Sequence, residues 1–149
     1  MPEIKLYTIG SNKKSAEEFI TTLKNARISR LIDIRIHANS QLFGFATEKT
    51  LKYILPEYLD IKYERWIDFA PPEDLFKAYK KNKTVDGKQY GVIYRKHIQN
   101  LGTTIDNFIK SGLNGICLLC IEESPLNCHR RILAEYLKEK VPEIQVIHL

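Results

Sequence analysis

The chain has 149 residues, which is the size of one domain and enough to bury a single core. Hydrophobic residues make up 44% and charged residues 28%, values typical of soluble globular proteins, and no segment approaches the roughly 18 apolar residues of a membrane span. The formal net charge of +5 is compatible with phosphate-bearing partners, but the basic residues are scattered and form no long block.

Cysteine usage and the N-terminal segment favour the cytoplasm. The chain has three cysteines, an odd number that fits a reducing compartment better than a disulfide framework. Residues 1–14 lack the apolar run of about 7–15 residues that an export signal carries before its cleavage site. We expect a cytoplasmic protein without a membrane partner, folded as one domain over residues 1–149.

The first part of the chain alternates between strand and helix patterns. Residues 4–9 are rich in β-branched and aromatic side chains and stop at a Gly-Ser-Asn turn, which predicts a buried strand. Ser15 and Glu18 form a capping box ahead of apolar residues at helical spacing, so a helix follows. Residues 30–36 alternate in polarity and predict a second strand.

A polar loop over residues 37–46 follows the second strand and carries Phe43 and Phe45, which we expect to be exposed. A loop of this length directly after a strand is typical of a binding loop or a lid. Thr47 then caps a short helix. Residues 61–66 predict a third strand near the sheet edge, because charges alternate through it.

The second half of the chain predicts helices followed by two strands. A short helix opens at Pro72, and a longer helical pattern over residues 90–101 breaks at Gly102 before it resumes. Residues 115–121 are almost wholly apolar, which indicates a central parallel strand covered on both faces. One more helix and a last strand, residues 144–149, complete the chain.

This alternation predicts an α/β domain with a mainly parallel five-stranded sheet and helices on both faces, in a Rossmann-like arrangement. We predict the strand order 3-2-1-4-5, which places the first and fourth strands together where the winding reverses. Ligands of such sheets bind in the crevice at the carboxyl ends of the strands. The polar side chains expected around it are Ser11, Asn12, Asp33, Arg35, Glu122, Glu123 and the cysteine-containing loop that follows.

The C-x-x-C of Cys117 and Cys120, with Cys128 and His129 nearby, raises the question of a zinc site. An odd spacing along a strand points the two sulfur atoms to opposite faces of the sheet, so they cannot share one metal. We therefore expect neither a metal nor a cofactor, and interpret Cys117 as a small buried hydrophobic residue.

Cys128 lies near the start of a predicted helix, with Ser124 or Asn127 as its N-cap. Either cap puts the thiol in the first helical turn, where the helix end, Arg130 and Arg131 favour thiolate. Cys128 is therefore a candidate nucleophile. Two alternatives stay open: the helix end binds an anion without a covalent step, or Cys128 is a buried structural cysteine.

His129 and Glu122 flank this thiol in sequence. His129 can act as a base or as a donor to an anion, but adjacent helical residues point about 100° apart, which argues against a direct Cys128–His129 pair. For Glu122 the favoured interpretation is a salt bridge with Arg35 or Arg130; a role as acid or base and a solvated loop charge are the alternatives.

Four segments carry a resemblance to a known family: TIGSN (Thr8–Asn12), DIR (Asp33–Arg35), DFAPPEDLFKAYKK (Asp68–Lys81) and LLCIEESPLNCHRRILAEYL (Leu118–Leu137). With them the sequence resembles the DUF488 family of prokaryotic proteins of uncharacterised function. The resemblance implies a set of signature positions, which are Asp33, Arg35, Cys120, Glu122, Cys128, His129 and Arg130. The family often reads T-I-G-H-S where this chain has Gly10-Ser11-Asn12, so the role of that histidine is absent or supplied differently.

Our leading hypothesis is an enzyme-like domain that binds a small anionic or phosphate-bearing ligand at the strand ends. Cys128 is the candidate nucleophile, and Asp33 or Glu122 serves as acid, base or orienting group. The predicted ligand-binding residues are Ser11, Asn12, Arg35, His129 and Arg130, with the two arginines clamping the anion.

The first alternative is a nucleic-acid-associated module that uses scattered basic residues and stacks bases on Phe43 and Phe45. The basic residues are Lys13, Lys14, Lys80, Lys81 and Arg95. The second alternative is a purely structural charge network that holds the strand ends together without a ligand.

Overall fold

A parallel five-stranded sheet with helices on both faces forms the computed structural model, which describes residues 3–126 and 128–149. The strands are β1 (Ile4–Gly10), β2 (Arg30–Asp33), β3 (Lys62–Arg65), β4 (Ile116–Cys120) and β5 (Ile144–His148). The helices are α1 (Ala16–Asn25), α2 (Glu48–Leu59), α3 (Glu73–Phe76), α4 (Gly87–Gln99), α5 (Thr103–Lys110) and α6 (His129–Lys140). A π-helical segment, Lys77–Lys81, continues α3.

Several helix starts follow the capping signals in the sequence. The Ser15 hydroxyl accepts the Glu18 N–H at 3.1 Å ahead of α1, and Thr47 accepts the Thr50 N–H at 3.3 Å ahead of α2. Helices α4 and α5 are separate because Gly102 adopts φ 41°, a conformation that a helix interior does not accommodate.

The α/β class and the five-stranded sheet are confirmed, but the strand order is β3-β2-β4-β1-β5 instead of the predicted 3-2-1-4-5. Strands β1 and β4 are neighbours as predicted, and β3 is an edge strand. However, β2 pairs with β4 and not with β1. The physical reason is the burial of β4: all five of its residues are buried, and the middle of the sheet is the position that is covered on both faces.

Side chains on the two faces of the sheet belong to two separate cores. One core joins sheet residues such as Leu118 to α4, α5 and α6; the other joins residues such as Cys117 and Leu119 to α1 and α2. A fully buried Leu or Phe stabilises such a core by roughly 1.5–3 kcal/mol. Cys117 is thus a buried core residue on the α1 and α2 side of the sheet.

The loop after β2 differs from expectation. Strand β2 ends at Asp33, and the main chain then turns so that Arg35 N–H donates to the Asp33 carboxylate at 3.1 Å. Phe43 and Phe45 are half-buried against the α1 and α2 core, so the prediction that they are exposed is wrong. Phe45 packs on Phe19 with ring centroids 5.5 Å apart. The contact removes apolar surface of both rings from water, which stabilises the folded chain.

Among the described residues, none of the helices has both the length and the apolar character needed to cross a lipid bilayer.

Candidate functional site

A small, partly enclosed pocket lies at the carboxyl ends of β2 and β4, the place that parallel sheets commonly use for ligands. We call it the thiol pocket. Its apolar walls are Ile36, Pro71, Phe76, Tyr90 and Ile121. Its polar lining consists of Arg35, Lys80, Cys120, Glu122, Cys128 and His129.

Cys128 is itself the N-cap of α6, so the prediction that it lies in the first helical turn is wrong. Of the two predicted N-caps, Ser124 bonds the Leu126 N–H at 3.3 Å instead, and Asn127 lies outside the described residues. The Cys128 carbonyl accepts the Arg131 N–H at 3.2 Å, an i to i+3 bond of the kind that is common at the start of a helix. The thiol makes no capping bond and lines the pocket.

His129 lies beside this thiol with a defined tautomer. Its Nε2 is 2.8 Å from the carbonyl oxygen of Ile34, which can only accept, so Nε2 carries the proton. Nδ1 is then an acceptor, and it lies 3.8 Å from Cys128 Sγ. Burial lowers the pKa of His129 to about 4, and the charge of Arg130 acts in the same direction, so the ring is neutral at pH 7.

The sequence argument against a direct Cys128–His129 contact is therefore wrong. It assumed that both residues are helical, and adjacent helical side chains diverge. Cys128 instead has an extended backbone, φ −116° and ψ 140°, and this turns its side chain toward the imidazole of His129.

Cys120, the last residue of β4, brings a second sulfur atom into the pocket. The structure places the Cys120 and Cys128 sulfur atoms in contact at bonding distance. Reasoning from strand spacing and charge alone missed Cys120 as a site residue. The available signal was the family-like C-x-E…C-H-R pattern, in which Cys120 is the first cysteine.

Arg130 is fully buried behind this sulfur. Its Nη1 donates to Cys120 Sγ at 3.4 Å and to the Glu122 carbonyl at 2.6 Å, and its Nη2 donates to the Glu123 carbonyl at 3.1 Å. Within the described residues it forms no ion pair with a carboxylate. The guanidinium thus holds the loop after β4 and places a positive charge beside the Cys120 sulfur.

Gly10 makes this arrangement possible. A Cβ at this position would overlap the Glu122 carbonyl oxygen and would lie 2.5 Å from Arg130 Nη1. The absence of a side chain therefore lets the loop after β4 lie against the end of β1, where Arg130 binds it.

Asp33 lies under the pocket and not in it. It is fully buried, accepts two side-chain bonds from Arg35 at 2.8 and 2.7 Å, and lies 3.6 Å from Arg65. Tyr63 O–H also donates to it; burial, followed by the charge of Asp33, raises the pKa of Tyr63, so the phenol stays protonated. With its oxygens occupied in this way, Asp33 orients Arg35 in this structure.

Arg35 is positioned on the pocket lining by three of its own N–H groups. Besides the two bonds to Asp33, Nη1 donates to the Ala46 carbonyl at 2.6 Å, and the guanidinium lies 5.0 Å from the Phe43 ring centroid. These contacts fix the orientation of the guanidinium beside the pocket.

Glu122 pairs with Lys80 of the π-helical segment, and not with Arg35 or Arg130 as predicted. Arg130 bonds the Glu122 main-chain carbonyl instead of its carboxylate. Both partners line the pocket and are little more than a third exposed, at 38% and 37%, so the ion pair lies at the solvent-facing side of the pocket, which we call its mouth.

Ser11 and Asn12 are not brought to the thiol pocket. Their N–H groups donate to the Cys120 and Ile121 carbonyls at 3.0 and 2.9 Å, which extends the β1–β4 pairing beyond the strands. They hold the main chain that carries Cys120.

The nucleic-acid alternative relied on exposed Phe43 and Phe45 together with scattered basic residues. The two rings pack inward, as described above. Lys13, Lys80 and Arg95 each lie in an ion pair with a glutamate.

Fold and site together define a class: a parallel α/β domain with a two-cysteine pocket at its strand ends. The model of a family described as domain of unknown function DUF488 matches residues 15–137, so the chain belongs to the DUF488 family. This confirms the resemblance seen in the sequence. No curated protein and no solved structure matches the chain significantly.

Proposed function

We propose that this chain is an enzyme-like domain that binds a small anionic ligand in the thiol pocket and attacks it with Cys128. The observation that carries the proposal is the placement of Cys128 Sγ 3.8 Å from His129 Nδ1, with the other ring nitrogen bonded to Ile34. A nucleophile next to a base, with the base oriented by a third group, is the arrangement that covalent catalysis requires.

His129 supplies the base. Because Nε2 keeps its proton for the Ile34 carbonyl, Nδ1 is free to take the thiol proton as the sulfur attacks. Burial lowers the pKa of the ring, so Nδ1 is unprotonated at pH 7 and the imidazolium formed during attack soon passes its proton to the leaving group. The Ile34 carbonyl then stabilises the imidazolium that forms.

Positive charge around the pocket supports an anionic ligand. Arg35 and Arg65 share the single carboxylate of Asp33, so one positive charge remains beside the pocket. Arg130 adds a second charge at Cys120. These charges attract an anion to the pocket.

The apolar walls count against the third hypothesis, a charge network without a ligand. A network that only holds strand ends together has no need of a pocket walled by Ile36, Pro71 and Phe76.

Alkylation of the reduced protein tests the proposal. We expect iodoacetamide to modify Cys128 faster than free glutathione at pH 7, and His129→Gln to slow the reaction about tenfold or more. We also expect the ratio of the iodoacetate rate to the iodoacetamide rate to be higher for Cys128 than for glutathione, because iodoacetate is an anion. Arg35→Met should lower this ratio to the value for glutathione. If Cys128 is alkylated no faster than glutathione, its role as a nucleophile is overturned. If Arg35→Met leaves the ratio of the two rates unchanged, the anion site is overturned.

A further inference from the structure

We infer that Cys120 is the resolving partner of Cys128, and that the two form a redox couple that reduces a small hydroperoxide. The inference rests on the proposed function, because it uses Cys128 as the attacking thiol. Its own basis is the second sulfur atom in the pocket, in contact with the first, together with the different partner that the fold supplies to each sulfur.

The two cysteines have unlike surroundings. Cys128 Sγ lies next to the neutral base His129 at 3.8 Å, whereas Cys120 Sγ lies next to the Arg130 guanidinium at 3.4 Å. A base assists a thiol that must lose its proton during attack, and a fixed cation favours a standing thiolate. Cys128 is therefore suited to attack the peroxide, and Cys120 is suited to attack the oxidised Cys128 sulfur.

The fold brings the two cysteines together from different elements. Cys120 ends β4 and Cys128 precedes α6, at a sequence separation of 8. Their sulfur atoms lie at bonding distance, so the second cysteine is in place to react with the first.

The access route selects a small oxidant. Cys128 is only 2% exposed, and the Lys80–Glu122 ion pair lies at the pocket mouth, so the disulfide of another protein cannot reach the sulfur in line. The pocket is small and has apolar walls, so it suits an oxidant of about the size of hydrogen peroxide. The Arg35 guanidinium, on the same pocket lining, places positive charge near the oxygen that leaves.

The chemistry has two balanced steps. In the first step the Cys128 sulfur attacks one peroxide oxygen and the O–O bond breaks. The thiol proton passes through His129 Nδ1 to the leaving alkoxide, which yields a sulfenic acid on Cys128 and an alcohol. Cys120 thiolate then attacks the Cys128 sulfur, an S–S bond forms, the S–O bond breaks, and hydroxide leaves as water after taking a proton. The sulfur atoms lose two electrons and the peroxide gains two. A small dithiol reduces the disulfide and completes the cycle.

The test uses the full chain, reduced and desalted, with one equivalent of hydrogen peroxide at pH 7. We expect oxidation about tenfold faster than that of free cysteine, because His129 Nδ1 lies beside Cys128 Sγ and can take the thiol proton during the attack. The product should be a Cys120–Cys128 disulfide in peptide mapping without reductant. Cys120→Ser should instead accumulate a sulfenic acid on Cys128 that dimedone traps, and Cys117→Ser should behave as the parent.

The iodoacetamide rate on the same samples separates the two proposals. Rapid alkylation of Cys128 with no disulfide after peroxide would overturn the redox couple and leave the proposed nucleophile standing. Slow reaction with both reagents would overturn both. A disulfide that includes Cys117, or an unchanged product in Cys120→Ser, would overturn the assignment of Cys120.

Discussion

Arg35 donates through Nε and Nη2 to the two carboxylate oxygens of Asp33, and both side chains of this bidentate ion pair are closed to solvent. The residues are two positions apart on a chain that leaves β2, so the ion pair fixes the turn after the strand as well as the guanidinium. The thiol pocket therefore depends on the Asp33 carboxylate, which does not line it.

Asp33→Asn tests this dependence. The change leaves Arg35 buried without its counter-charge, so we expect a loss of roughly 3–5 kcal/mol in the free energy of unfolding, measured by urea denaturation. Glu64→Gln is the matched control, because Glu64 pairs with Arg30 at 2.9 Å near the surface; we expect a loss of about 1 kcal/mol or less. Equal losses would contradict a special role for the Asp33–Arg35 pair.

His129 should make stability depend on pH. Its pKa is about 4 in the folded chain and 6.5 for a free histidine, so the unfolded chain binds the proton more readily. The stabilisation is complete above pH 6.5 and is lost as pH falls toward 4, by about 3 kcal/mol in total. Urea denaturation between pH 7 and 4 should show this slope.

His129→Gln should flatten that slope, since glutamine can still donate to the Ile34 carbonyl but does not titrate. Carboxylates contribute equally to both curves, so the difference between the variant and the parent isolates the histidine. Parallel curves would show that His129 is not buried in its neutral form.

Gly10→Ala tests the approach of the loop after β4 to β1. The new Cβ overlaps the Glu122 carbonyl, so we expect a loss of about 1–3 kcal/mol in the free energy of unfolding and slower alkylation of Cys128 as Arg130 loses its partners. Gly91→Ala is the control: it lies in α4, where the new Cβ comes 3.3 Å from Ile132 Cδ1, and alanine favours a helix over glycine. We expect the control to be within about 1 kcal/mol of the parent.

Lys80→Met tests the ion pair at the pocket mouth. Methionine keeps the length of the side chain without its charge, so we expect neutral iodoacetamide to reach Cys128 several-fold faster, while the free energy of unfolding changes by less than about 1 kcal/mol. Lys81→Met, one residue further along the same segment, should leave the rate unchanged. A slower reaction in Lys80→Met would mean that Lys80 activates the Cys128 thiol and does not restrict access to it.

Much of the fold could be predicted from local patterns. The apolar run that became β4 indicated a central strand, and Ser15 and Thr47 marked helix starts, because burial and capping act on neighbours in sequence. The two-residue period of a strand also predicted that Cys117 and Cys120 face opposite sides of the sheet, because their spacing is odd. The family-like C-x-E…C-H-R pattern also indicated which part of the chain carries the candidate site.

By itself, then, the sequence determined the class of fold, the central strand and the part of the chain that carries the site. Only the tertiary structure decided that β4 lies between β1 and β2, that Lys80 meets Glu122, and that Cys120 and Cys128 share a pocket. These relationships join residues on different elements. They depend on how the strands are ordered and how loops close over them, and the local preferences for burial, capping and turns do not encode that order.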